Sequence, residues 1–233
     1  SPDSPSVRQK IGYMPERLHF PRVSTPLSFL IELGHLRQIP DPKGEAFRQL
    51  GRVGLASNSD RRVNDFSKGM KQRLGLAAAL MGDPELLILD EPTDGIDPVG
   101  RKEIRKVIQE EHQRGATILL NSHLLSEVER ICQRVGILHQ GTLIREGSID
   151  SLCRNSSLWF CKFAGDFSPT DIEALGFQRD PDREGWLFHA EELSPLNEGI
   201  EKARSHGALL EELTPNIQTL ENLLAEEVER RGS

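Results

Sequence analysis

Apolar positions along this chain come in two rhythms, and the switch between them marks out its elements. Leu86-Leu87-Ile88-Leu89 is an unbroken apolar run, which predicts a strand buried on both faces of a parallel sheet. Thr117 to Leu120 reads the same way. Before and between these runs the period lengthens to that of a helix. Leu27, Leu30, Ile31 and Gly34 follow Pro26, which suits a first helical position. Ala46, Phe47, Leu50 and Val53 repeat the spacing after the breaker Pro40-Asp41-Pro42. Met70, Leu74, Ala77, Ala78 and Met81 form a third stripe, with Ser67 placed as its N-cap and Gly82-Asp83-Pro84 as its stop. Asp97-Pro98 opens a fourth helix that Gly115 closes.

Ile11 to Glu16 reads as the end of a strand entering a loop at Pro15. Ser122 to Cys132 predicts a helix with Leu124, Leu125, Val128 and Ile131 inward, and Gln140-Gly141 a hairpin turn between Val135–His139 and Thr142–Arg145. Strand, helix, strand, helix, strand is the order of an α/β domain. The polar stretch Arg154-Asn155-Ser156-Ser157 then predicts a boundary, giving a first domain at 1–147, a linker at 148–157 and a smaller α/β module at 158–233. In that module Trp159–Phe163, Trp186–His189 and Ala208–Leu210 read as strands. Ser168-Pro169, Ser194-Pro195 and Thr214-Pro215 read as hydroxyl-capped helix starts.

Composition narrows the function. A chain of 233 residues with 28% charged and 36% hydrophobic residues has the profile of a globular protein able to bury a core. Its formal charge of -7 argues against non-specific nucleic-acid binding, which needs a basic surface. No apolar run approaches the ~18 residues of a membrane span, so a membrane role is expected to run through a partner. Cys132, Cys153 and Cys161 form no C-x-x-C pair and are expected to be free thiols in a reducing compartment. The opening Ser1-Pro2-Asp3-Ser4-Pro5-Ser6 has neither the basic nor the apolar stretch of a signal peptide.

Candidate chemistry clusters between Phe66 and His123. Asp90 and Glu91 end an apolar strand, where open α/β sheets place their ligand crevice. Strand alternation would turn the two carboxylates to opposite sides, one toward a magnesium ion and one toward an attacking water. Ser67-Lys68-Gly69-Met70 opens a helix, where free N–H groups favour an anion and Gly69 permits close approach of phosphate. Asp97 lies on a tight loop with a competing role as N-cap, and His123 follows the second buried strand. Taken singly, each is an ordinary feature: a solvated acid pair, a capped helix, a structural histidine.

Taken in order and spacing, these elements resemble the ATP-binding-cassette (ABC) ATPases, closest to the nucleotide-binding subunits of drug-exporter-type transporters. The resemblance covers about Ile11 to Gly147. It implies an ABC-type P-loop ATPase core, with a helical subdomain at about 24–81 that grips a membrane permease. It also implies ATP and Mg²⁺ as cofactors and a head-to-tail dimer of ATPase subunits, cytoplasmic and peripheral on the inner face of the membrane. Asp90 would hold the magnesium through its water shell, with Glu16 in the place of the family's Q-loop glutamine. Glu91 would polarise the hydrolytic water and His123 would reach the γ-phosphate. Ser67, Lys68, Gly69 and Met70 would contact ATP bound to the opposite subunit, and Asp97 would communicate across the dimer. The form S-K-G-M departs from the common S-G-G-Q, and Lys68 is expected to add positive charge near phosphate.

One family element is not found. No Gly in the chain is followed by Lys, so the phosphate loop G-x-x-x-x-G-K-[ST] does not occur, and the first Met is Met14. The expectation is an N-terminally truncated transport ATPase that binds ATP weakly alone and exposes apolar sheet surface. A degenerate partner lending its signature to a complete ATPase is the alternative, followed by a soluble ABC ATPase unconnected to transport.

Overall fold

In the computed structural model, which describes residues 4–181, 183–217 and 219–225, the unbroken apolar runs become the central strand and one edge strand of a parallel sheet. Ser1–Asp3 of the polar opening and Gln218 of the C-terminal segment lie outside the described residues. The chain separates into two units, 1–131 and 132–233.

The first unit runs α1 (Pro5–Gln9), β1 (Ile11–Met14), α2 (Pro26–Leu36), α3 (Pro42–Arg52), α4 (Lys68–Leu80), β2 (Leu86–Asp90), α5 (Pro98–Gln113), β3 (Thr117–Asn121) and α6 (Leu125–Ile131). Four of its helices start where local chemistry satisfies their free N–H groups. Thr25 and Ser28 cap one another at α2, Asp41 accepts from Gly44 N at α3, Ser67 from Met70 N at α4 and Asp97 from Gly100 N at α5. The predicted stripe of α4 is inward: Leu74, Ala77 and Met81 are buried, with Met70 and Ala78 packed against the core.

The sheet has the order β1-β2-β3, all parallel, with Met14 opposite Leu89 and Asp90 opposite Asn121. Parallel pairing therefore gathers the ends of all three strands at one edge, and every candidate carboxylate of the sheet lies there. Gly12 sets the distance between the sheet and α4. A Cβ at that position would fall 2.1 Å from the Ala79 carbonyl oxygen, so only glycine lets the strand lie this close.

One expectation is overturned. β2 and β3 are not covered on both faces: Leu87 and Leu89 are buried, but Leu119 is 61% exposed, as is 55% of Tyr13. Register places Tyr13, Ile88 and Leu119 in one row across the three strands, on the face opposite that core. An unbroken apolar run says that both faces repel water; it does not say that both are covered.

Two ion pairs tie the outer helices. Arg52 of α3 meets the buried Glu111 of α5 at 2.6 Å. Arg105 of α5 donates to both oxygens of Glu127 on α6, at 2.8 and 2.7 Å, which fixes the helix that follows His123.

In the second unit, β4 (Arg134–His139) and β5 (Thr142–Ser148) form the predicted hairpin, with Gln140 and Gly141 at φ +48° and +77°. Then follow α7 (Ile149–Cys153), β6 (Arg154–Gly165), α8 (Pro169–Ala174), β7 (Gln178–Arg179), β8 (Trp186–His189), α9 (Leu193–Ser205) and β9 (Ala208–Ile217). The last sheet is antiparallel, β7-β8-β6-β9, over a core that includes Cys161, Phe163, Ile172, Phe177, Trp186 and Leu196. The segment read as a linker at 148–157 is instead α7 and the start of β6, and the division between units falls ahead of it, at Ile131 and Cys132.

Thr214-Pro215 does not start a helix. Both residues lie in β9, an edge strand, where a proline with no N–H to give is tolerated. The closing helical turn begins after Thr219, whose hydroxyl accepts from Asn222 N at 3.2 Å. α9 starts at Leu193, ahead of the expected Ser194-Pro195. Cys132 and Cys161 are free thiols, and burial pushes Cys161 up to about 12. Among the described residues no helix is long and apolar enough to cross a membrane.

Two substitutions test this packing. Gly12→Val should destabilise the chain by about 1–3 kcal/mol in chemical denaturation, because the clash is with backbone that cannot turn aside. Arg105→Met should cost about 3 kcal/mol by leaving the Glu127 carboxylate buried without its partner; an unchanged denaturation midpoint would show that water replaces the guanidinium there.

Candidate functional site

The sheet edge assembles the acid pair differently from strand alternation. β2 ends at Asp90, and Glu91 has φ +49°, a left-handed conformation that is unusual away from glycine. The strand rule that was expected to aim the two carboxylates to opposite sides therefore stops one residue short of Glu91. Its backbone is instead held at both ends. Glu91 N donates to Asn121 O at 2.9 Å, and the Gln72 carboxamide, from the buried face of α4, donates to Glu91 O.

The Glu91 side chain is then fixed by the loop between β3 and α6. His123 N donates to Glu91 Oε1 at 2.7 Å, and His123 Nδ1 lies 2.8 Å from the same oxygen. Ser122 Oγ donates to Glu91 Oε2 at 3.0 Å while accepting from Leu124 N at 3.1 Å. The carboxylate is only 12% exposed, against 65% for the histidine side chain, so the imidazole is the solvent-facing member of the pair. Beside it, Asn121 Nδ2 donates to Asp90 Oδ1 at 2.7 Å, engaging one oxygen of the second acid.

A second cluster lies at the start of α4. Ser67, Gly69, Met70 and Asp97 line a cavity of about 270 Å³ together with Arg61 and Arg73. Because Ser67 Oγ is the acceptor in its cap, its proton stays available to a ligand. Asp97 caps α5 in the same way, and the Gly100 N–H holds its carboxyl below the usual carboxylate range. Lys68 points its charge elsewhere: Nζ is 2.6 Å from Asp94 Oδ2, and that contact holds Asp94 below the usual range.

The structure thus brings Glu91 and His123 into contact, with Asp90 next to them. It gathers Ser67, Gly69, Met70 and Asp97 around one cavity, and ties Lys68 to Asp94. Glu16 is exposed beyond the end of β1, at the same edge as Asp90. Among the described residues no group of three or more His, Cys, Asp or Glu side chains is arranged to hold a metal ion. Sequence reasoning missed Gln72, Asp94, Asn121 and Ser122. A signal existed for Gln72, a long polar side chain on the inward face of a helix, which must find a buried partner.

Comparison with known proteins supplies the context. Residues 1–94 match the ABC transporter family. An uncharacterised ABC transporter ATP-binding protein of Synechocystis sp. is 33% identical over 233 residues, covering 97% of this chain and 64% of its own length. The bacitracin transport ATP-binding protein BcrA of Enterococcus faecalis is 50% identical over 101 residues, 43% of this chain and 33% of that protein. The chain therefore spans less than two thirds of these relatives. A solved structure described as the ATP-binding subunit of an ABC transporter superposes with a TM-score of 0.58 at 29% identity, covering 64% of this chain and 62% of that one. The parallel sheet, the order of its motifs and these matches agree: residues 1–94 match the ABC transporter family, and the chain is similar to ATP-binding subunits of such transporters.

Proposed function

We propose that this chain supplies the hydrolytic residues of an ATP site in an exporter-type ABC transporter, whose turnover drives a separate membrane permease. The observation that carries this reading is the Glu91 carboxylate, fixed by Ser122 and His123 at the C-terminal edge of a parallel sheet, directly after Asp90. That edge is where open α/β sheets bind ligands. A carboxylate locked in one orientation can take up a proton from a water held against it without first reorganising.

Each remaining residue has a role under this reading. His123 Nδ1 faces Glu91, which leaves Nε2 for a phosphate oxygen. The Ser67 hydroxyl and the free N–H groups of the first turn of α4 bind phosphate from a nucleotide held by a second ATPase subunit, in a homodimer or heterodimer. Asp97 lies on the rim of the same cavity and senses the partner across it. The helices within 24–81 face the permease, which holds the protein at the inner surface of the membrane.

A magnesium ion held by protein alone does not fit these residues. One that arrives with the phosphates does, since such an ion keeps waters and needs only one or two carboxylates. When bound it neutralises charge developing on the phosphates. Asp90 is the carboxylate placed to hold its water shell, with Glu16 at the same edge. One observation favours a second reading. No Gly-Lys step occurs in the chain, so it could lend Ser67–Met70 to a phosphate loop on another polypeptide while hydrolysing nothing itself.

The test is turnover by the native ATPase that contains this chain. Glu91→Gln should lower ATP hydrolysis by about 10²–10⁴-fold while nucleotide stays bound. Unchanged turnover removes Glu91 from the chemistry. If Ser67→Arg abolishes turnover where Glu91→Gln does not, the lending reading holds instead.

A further inference from the structure

Helix α4 grips the loop that carries the acid pair at two points, one helical turn apart. Gln72, 4% exposed, donates to the carbonyl of Glu91 at the start of that loop. Lys68, four residues earlier on the same face, reaches Asp94 near its middle at 2.6 Å. Between the two contacts the loop follows the helix closely. Gly69 is within 3.5 Å, measured from a Cβ position, of the Gly95 carbonyl oxygen. At Gly95 the backbone has φ +68°, and a Cβ would fall 2.4 Å from Lys68 Cδ, so the lysine stem lies across a residue that must be glycine. The loop closes on itself through Asp94 N to Glu91 O at 3.2 Å and Ile96 N to Thr93 O at 3.3 Å. Displacing Asp94 therefore pulls on the carbonyl that Gln72 holds.

We propose that Lys68 and Gln72 are positioning residues, which set the orientation of Glu91 through the loop 91–97, and that the Lys68 charge serves Asp94 and not a phosphate. This deepens the hydrolytic reading and rests on it for its functional meaning. The consequence is a direct link within one subunit. Whatever docks on the first turn of α4 presses on the same contacts that hold Glu91 against Ser122 and His123.

The two anchors differ in strength. An exposed lysine pair is worth little and is screened by salt. A buried carboxamide whose loss leaves the Glu91 carbonyl with only the longer Asp94 N–H contact is worth more. Exchange of the His123 amide, which donates to Glu91 Oε1, reads both without nucleotide or turnover. In the full chain at low salt, Lys68→Met and Asp94→Asn should each speed that exchange about two- to fivefold. Gln72→Met should speed it from about fivefold to a hundredfold. Lys68→Arg should retain protection, and the exchanged pair Lys68→Asp with Asp94→Lys should restore most of what either change loses alone. The denaturation midpoint of the lysine and aspartate variants should stay put, which separates loop release from global unfolding.

Unchanged His123 exchange in Lys68→Met and Asp94→Asn overturns the proposal, as does a double exchange whose losses simply add. Because exchange is measured without ATP, unchanged turnover in Glu91→Gln would sink the hydrolytic reading and leave this coupling standing. Lost coupling beside a dead Glu91→Gln variant would do the reverse.

Discussion

Everything at the candidate site depends on one residue held in a left-handed backbone conformation. Glu91 at φ +49° carries a side chain where glycine would be more comfortable, a cost of about 1–2 kcal/mol. Three sets of partners offset it: the Asn121 carbonyl on β3, the Gln72 carboxamide on α4, and the Ser122 and His123 donors on the loop before α6. Those partners come from three different elements, so the conformation survives only if the sheet register and the seat of α4 are both right. The strain is local, and the structure that sustains it is most of the first unit.

That dependence runs backwards through the packing. Asn121 stands opposite Asp90 only because β2 and β3 pair in parallel from Leu86 and Thr117 onward. Gln72 reaches Glu91 only because α4 lies close over the sheet, at a spacing that Gly12 permits against the Ala79 carbonyl. The approach of α6 is held from the far side by Arg105 and Glu127. A slip of one residue between β2 and β3 would turn the strand faces over and carry the acid pair away from His123.

What the sequence disclosed and what it withheld follow from the range of each interaction. Ser67 and Asp97 were legible as caps because a hydroxyl or carboxylate that accepts from the N–H three residues on is a contact within one turn. The parallel strands were legible as apolar runs, and the acid pair was legible as their end. The conformation of Glu91 was not, because nothing in Asp-Glu-Pro states the sign of φ; that sign is set by Asn121 and Gln72, distant along the chain. Lys68 is a related case. A lysine beside a presumed phosphate site reads as a phosphate ligand until the fold places Asp94 within 2.6 Å of it. In the second unit Thr214-Pro215 copies the helix-start device of Ser168-Pro169, yet an edge strand accommodates the same dipeptide equally well. Local chemistry permits both, and pairing with Trp159 and Phe160 decides.

The distribution of charge at the sheet edge bears on what such a site can accept. Asp90 and Glu91 bring adjacent negative charge to a place proposed to meet phosphate, which like-charge repulsion should forbid. Within the chain that charge is already answered by donors and not by cations: Asn121 Nδ2 on Asp90, and Ser122 Oγ with the His123 amide on Glu91. Lys68, a cation in the motif, pairs with Asp94. Neutral donors orient a carboxylate without cancelling its field, so the edge stays negative overall. A polyphosphate can approach it favourably only with its own cation. Under the proposed function the acid pair would select for a metal-bound phosphate over a free one, which is the property an ATP site needs if hydrolysis is to await magnesium.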